Sequence, residues 1–150
     1  MDKKDHKIFF ELIPDEDEYP PDKWESMWAW ELPEGLFCVD NIPFYVKGIS
    51  SGDVISAKDD GEKLIFENLV RPSLNSVIRV YVSDSEDVQT ARDNFRALGC
   101  ESELSHVPKL FAVEIPGDVN FDPVANLLAE GDEGGRWKYE EGVLRHRYVA

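Results

Sequence analysis

Residues Trp28 to Ala57, WAWELPEGLFCVDNIPFYVKGISSGDVISA, form the densest apolar and aromatic block of the chain, cut only by turn residues. The block reads as strand, turn, strand, turn, strand. Met27-Trp28-Ala29-Trp30 is β-prone, and Leu32-Pro33-Glu34-Gly35 is a turn in which Gly35 supplies a positive φ. Leu36-Phe37-Cys38-Val39 follows as a short buried run. Asp40-Asn41-Ile42-Pro43 ends it, because Pro43 fixes φ and lacks an N–H. Phe44-Tyr45-Val46 leads to Gly48, and Ser51-Gly52-Asp53 turns the chain into Val54-Ile55-Ser56-Ala57. Strands this short and closely spaced imply a small, strongly curved sheet.

The flanking segments extend the same reading. Met1 to Lys7 is charged and expected to fray, His6 with it. Ile8 to Ile13 is a first strand whose nearly continuous apolar run implies cover on both faces. Asp59-Asp60-Gly61-Glu62 is a hairpin turn, and Leu64 to Val70 pairs back as the next strand. Arg71-Pro72-Ser73-Leu74-Asn75-Ser76 is the clearest boundary in the chain.

Beyond it the rhythm changes. Val77 to Val82 is a strong strand, and Ser83 with Glu86 has the spacing of a capping box. Val88, Ala91, Phe95 and Leu98 recur at helical spacing, with Gly99 as the C-terminal stop. Cys100 to His106 is a polar edge strand and Leu110 to Ile115 a central one. Asp122-Pro123 opens a short helix with Val124, Leu127 and Leu128 as its buried stripe, ending near Gly131. Trp137 to Leu144 is the last strand or hairpin. Strand–helix–strand–strand–helix–strand is the order of a ferredoxin-like split βαβ. The expected fold is therefore α+β: a curved antiparallel β lobe over residues 1–75, SH3-like or a partial barrel, then a ferredoxin-like lobe over residues 76–150.

The run Glu25…Trp28, Asp40-Asn41-Ile42-Pro43-Phe44-Tyr45, Gly48-Ile49-Ser50 and Gly52-Asp53-Val54-Ile55 resembles a bacterial domain family of unknown function, the one numbered four-two-six-five, with a DNIPF…GDV core motif. Arg79-Val80, Leu98-Gly99 and Trp137, Tyr139 and Glu140 extend the resemblance over most of the chain. One departure stands out. Where the family pattern has Ser-Gly-His-(Ser)-Thr ahead of the arginine, this chain has Ser73-Leu74-Asn75-Ser76-Val77-Ile78. The resemblance implies an architecture and no activity.

Charge narrows the function classes. Sixteen Lys and Arg against thirty-one Asp and Glu give a net charge of −15 and a pI near 4.5. Phosphate backbones require a basic footprint, so nucleic acid is excluded as a partner, and an anionic membrane surface with it. No apolar run approaches the ~20 residues of a bilayer span. Without a secretory signal, and with Cys38 (read as buried) and Cys100 far apart, the expected address is the cytoplasm.

No catalytic set is recognisable, and no metal or cofactor is expected. Gly-x-Ser-x-Gly, His-Glu-x-x-His, phosphate loops and Cys-x-x-Cys pairs are all missing from the sequence. His6, His106 and His146 lie far apart in the chain. Asp40 and Asp53 sit in turns within the apolar block, where their side chains are expected to cap backbone N–H groups. With Asn41 they make a candidate small-molecule site between the lobes, and with His106 the remnant of a hydrolase reading.

The sharper candidate is Pro14-Asp15-Glu16-Asp17-Glu18-Tyr19-Pro20-Pro21, four consecutive acids between prolines, expected as an exposed loop. It lacks the ligand spacing and glycine of an EF-hand loop. Trp28 and Trp30 share strand parity and are expected in the core; an exposed face would instead make a platform for a ring, a sugar or a partner. Trp24, beside the acidic loop, is the expected exposed anchor. Arg136, Lys138, Arg145 and Arg147 form a basic cluster expected to be solvated or paired within the molecule. Together these features fit a non-enzymatic acidic binding protein, monomeric or weakly dimeric, of the kind that neutralises a basic nuclease-type toxin domain. Asp15, Glu16, Asp17, Glu18, Tyr19 and Trp24 would form its contact surface, with Asp40, Asn41 and Asp53 as the alternative ligand site.

Overall fold

The computed structural model describes residues 5–146. Residues 1–4 of the expected frayed start and Arg147 of the basic cluster lie outside them. The described chain divides into two compact units, the first ending at Ser73 and the second beginning at Leu74.

In the first unit β1 (Asp5–Glu11), β2 (Trp24–Glu31), β3 (Phe37–Val39), β4 (Val54–Asp59) and β5 (Leu64–Arg71) close into a barrel. Consecutive strands pair antiparallel. With an odd number of strands the first and last run the same way, so the seam is parallel, Ile8 opposite Leu64 and Phe9 opposite Ile65. Closure removes the free edges that a partial barrel would expose.

Alternation fills the interior. Ile8 and Phe10 from β1, Met27 and Ala29 from β2, Phe37 and Val39 from β3, and Ile55 from β4 are buried together. Phe10 stacks on Phe66 with ring centroids 4.8 Å apart. Four expectations are corrected here. Strand β1 starts at Asp5, so His6 and Lys7 are paired rather than frayed, and only one of its faces is in the core. Cys38 points outward between inward Phe37 and Val39 and is partly exposed. Trp28 and Trp30 do share a face, but it is the outer one, and Trp28 is 47% exposed. A five-stranded barrel is narrower than the ~8-stranded barrels whose interiors side chains just fill, so Met27 and Ala29 go inside and the indoles stay out. Phe44, Tyr45 and Val46 lie in the irregular stretch between β3 and β4.

In the second unit β6 (Ser76–Val82), α1 (Val88–Ala97), β7 (Glu101–Leu104), β8 (Leu110–Ile115), α2 (Phe121–Glu133) and β9 (Trp137–Val143) form a four-stranded sheet in the order β7-β8-β6-β9. Every neighbouring pair is antiparallel. Ile78, Val80 and Val82 face α1 and α2, where Phe95 meets Phe111 and Trp137. The buried Trp137 donates its indole N–H to the Leu128 carbonyl at 3.1 Å, so its polar atom is satisfied.

Both helix starts differ from expectation. Asp84, not Ser83, caps the 3-10 turn Ser85–Asp87 that leads into α1, accepting from Glu86 N–H at 3.0 Å, and Asp87 at the start of α1 makes no side-chain cap bond. Ser83 instead donates to the Gly135 carbonyl at 2.6 Å. Asn120, not Asp122, caps α2, which runs past Gly131 to Glu133. Asp122 falls in the first turn, where the helix dipole favours a negative charge. No helix among the described residues is long and apolar enough to cross a membrane.

Candidate interaction site

The acidic residues sit on the β1–β2 hairpin loop, whose base is closed by Leu12 N–H donating to the Lys23 carbonyl at 2.8 Å. The Asp15 carboxylate turns back on its own loop, accepting from Asp17 N–H at 2.9 Å and Tyr19 N–H at 3.0 Å. Asp15 N–H in turn donates to the Tyr19 carbonyl at 2.7 Å, and Glu18 takes a left-handed φ of 60°. These bonds give the tip a defined shape, as Asx-type turns do. Glu16, Asp17 and Glu18 project into solvent.

The aromatic members frame the same end. Tyr19 meets Tyr45 edge-to-face at 5.8 Å. Burial first, then the charges of Asp22 and Glu25, raises the Tyr45 hydroxyl above the usual phenol range. Trp24 opens β2 opposite Glu11, with the Lys63 ammonium 4.2 Å from its ring centroid. Ile13, which the sequence assigned to the first strand, lies just beyond β1 and is 87% exposed. One hairpin end therefore gathers all six predicted contact residues.

Asp40, Asn41 and Asp53 play local roles. Asn41 Oδ1 accepts the Trp28 N–H, and Asp40 is exposed. Asp53 is fully buried: Oδ2 accepts Ser50 N–H at 2.9 Å and Oδ1 accepts Ser73 N–H at 2.8 Å. Charge-assisted bonds of this kind compensate a desolvated carboxylate. They tie the β3–β4 loop to the end of β5 and commit both oxygens to backbone. His106 is exposed in the β7–β8 loop, in the second unit, whereas the three carboxylate and amide candidates belong to the first.

Three constellations escape the sequence reading. Glu25 faces the barrel side of β2 and accepts N–H groups from Phe44 at 2.7 Å, Tyr45 at 3.0 Å and Val46 at 2.8 Å. The signal was present, since Glu25 is in phase with the core residues Met27 and Ala29. Arg79, 1% exposed in β6, pairs with Glu140 Oε1 at 3.2 Å and lies over Gly142. Ser76 Oγ lies 2.6 Å from His146 Nδ1, while Nε2 is 2.8 Å from the Pro116 carbonyl. In the neutral ring, Nε2 donates to that carbonyl and Nδ1 accepts the hydrogen bond of the Ser76 hydroxyl. Ser76 is fully buried and its oxygen also accepts N–H groups from Arg145 and His146.

The basic cluster is engaged within the second unit. Lys138 pairs with Asp132 at 2.9 Å, and Arg136 donates to Asn94 while lying over Trp137. Asn94, Leu98, Pro123, Asn126, Leu127 and Glu130 line an open groove of about 340 Å3 between α1 and α2. Among the described residues no three His, Cys, Asp or Glu side chains converge as metal ligands.

A closed five-stranded barrel followed by a four-stranded sheet with two helices defines a strand-rich α+β protein. The family model described as a domain of unknown function, DUF4265, matches residues 25–139, and the chain belongs to that family. A crystal structure of a hypothetical protein from Neisseria gonorrhoeae is similar in fold, with a TM-score of 0.78 and 19% identity, over 96% of this chain and 98% of that one. No curated protein matches the chain.

Proposed function

We propose that this protein is a non-enzymatic acidic binding protein of the immunity type, which neutralises a basic, nuclease-type toxin domain in the bacterial cytoplasm. The observation that carries the reading is the β1–β2 hairpin tip. Four acids stand there on a loop whose turn is fixed by one of their own carboxylates, with Tyr19 and Trp24 at its flank. A preorganised anionic surface mimics the phosphates such a domain is built to grip, and a net charge of −15 speeds encounter with a cationic partner. The matched family stretch begins at Glu25, so the tip lies ahead of it.

The same reading extends to architecture. The strand order β7-β8-β6-β9 and the two crossover helices support a ferredoxin-like second unit, and the five-strand meander supports an SH3-like first one. The backbone bonds of Asn41 and Asp53 support the DNIPF…GDV run as framework. No observation favours a ligand site at Asp40, Asn41 and Asp53.

The test is co-purification with a basic toxin domain encoded beside it, and inhibition of that domain's nuclease activity. Affinity is expected to fall with salt and to drop at least ten-fold when Asp15, Asp17 become Asn and Glu16, Glu18 become Gln, a loss of roughly 1.4 kcal/mol. Unchanged affinity in that variant overturns the reading.

A further inference from the structure

The outer face of the β1–β2 hairpin carries aromatic side chains beyond those needed for a core. Lys7 lies opposite Trp28, Phe9 opposite Ser26 and Glu11 opposite Trp24. Trp24 is 37% and Trp28 47% exposed. Each indole already holds a cation. Lys63 Nζ sits 4.2 Å from the Trp24 ring centroid and 5.4 Å from that of Phe9, and Lys7 Nζ sits 5.3 Å from Trp28. All three distances fall inside the roughly 6 Å range of cation–π attraction.

We propose that these ring faces are receptor sites for the Lys and Arg side chains of an extended basic segment of the partner, and that Lys63 and Lys7 are stand-ins that a partner's cations displace. The inference rests on the acidic-binder reading and names the partner's chemistry and its mode of docking. Charge complementarity selects the occupant. The face continues along the same hairpin into the acidic tip at Asp15–Glu18, on a chain carrying −15 overall. A neutral ring or sugar would gain nothing from that field, whereas a basic segment is drawn along it. Exposed cation–π pairs are weak, so the internal lysines are displaceable. Arginine, planar and less tightly hydrated, is the stronger competitor.

Geometry sets the spacing. Trp24 and Trp28 are four residues apart on one strand, about 13 Å at ~3.3 Å per residue. An extended segment running alongside presents side chains to both only from positions i and i+4. Positions i and i+3 point to opposite sides.

The test uses two nine-residue peptides of equal charge, each with two arginines, spaced four or three apart. They are titrated calorimetrically into the full chain at low salt. The i, i+4 peptide is expected to bind several-fold more tightly. Trp24→Leu and Trp28→Leu should each weaken it by about two- to five-fold. Lys63→Ala, which keeps the backbone N–H bonded to Asp60, should tighten it by removing the internal competitor. That variant keeps the proposal testable where a tryptophan substitution fails to fold. Equal binding of both peptides, or no gain from Lys63→Ala, overturns the proposal. If binding is then still lost on neutralising Asp15–Glu18, the acidic-binder reading survives alone. No binding by the wild-type chain overturns both.

Discussion

The Glu25 carboxylate accepts the backbone N–H of Val46 at 2.8 Å, joining a barrel strand to a residue twenty-one positions later. Phe44 and Tyr45 donate to the same group, so one buried side chain accepts from three consecutive amides of the irregular stretch between β3 and β4. Removing it takes away the acceptor that these three donors share. Glu25→Ala is expected to cost about 3 kcal/mol or more, and Glu25→Gln, which retains one acceptor oxygen, distinctly less. Urea unfolding followed by tryptophan fluorescence measures both.

Gly131 reverses a familiar rule. Alanine usually stabilises a helix interior by about 0.5–1 kcal/mol over glycine. A Cβ at Gly131 would lie 2.0 Å from Cε2 of Trp137, a rigid ring that is 1% exposed and bonded through its indole N–H to Leu128. Gly131→Ala is therefore expected to destabilise by about 1–3 kcal/mol, as overpacking does, with a lower melting temperature as the readout.

The two thiols should differ sharply. Burial, with a smaller contribution from the Glu101 charge, pushes the Cys100 thiol up to about 12 from 9.0. At pH 8 a thiol reagent is expected to modify Cys38 in the folded protein and Cys100 only after denaturation. The shift also has a stability sign. Above pH 9.0 the unfolded chain releases this proton while the folded chain holds it, so Cys100 lowers stability progressively from 9.0 towards about 12. Cys100→Ala should flatten that alkaline limb.

The β4–β5 hairpin carries the opposite dependence. N–H groups of Lys63 and Glu62 hold the Asp60 carboxyl below its ordinary 3.8. Its contribution is present above 3.8 and is lost as pH falls through the lower folded value. Thermal melts between pH 5 and 2 should show a shallower acid decline for Asp60→Asn than for the wild-type chain.

Much of this structure was legible wherever a periodic pattern coincided with its own punctuation. Val77 to Val82 is a run rich in β-branched, apolar residues, and α1 repeats its apolar residues up to Gly99, whose φ is +93°. Caps were less legible, because Ser83 competes with Asp84, and Asp122 with Asn120, within two residues. Parity placed Trp28 and Trp30 together, but only barrel diameter decides which side they face. The acidic tip was visible because its residues are contiguous. Glu25 showed its inward phase but not its partners, and Arg79 and Ser76 showed neither: their partners lie nineteen to seventy positions away, brought close only by the folded chain.

The Ser76–His146 contact has a topological consequence. Ser76 opens the first strand of the second unit and His146 is its last described residue, and the two are stitched by a side-chain bond and two amide bonds. The first residue of β6 and the residues just after β9 are therefore neighbours in space. A short linker can join them and fresh ends be cut at the exposed turn near His106, giving a circular permutant that keeps every strand in its place.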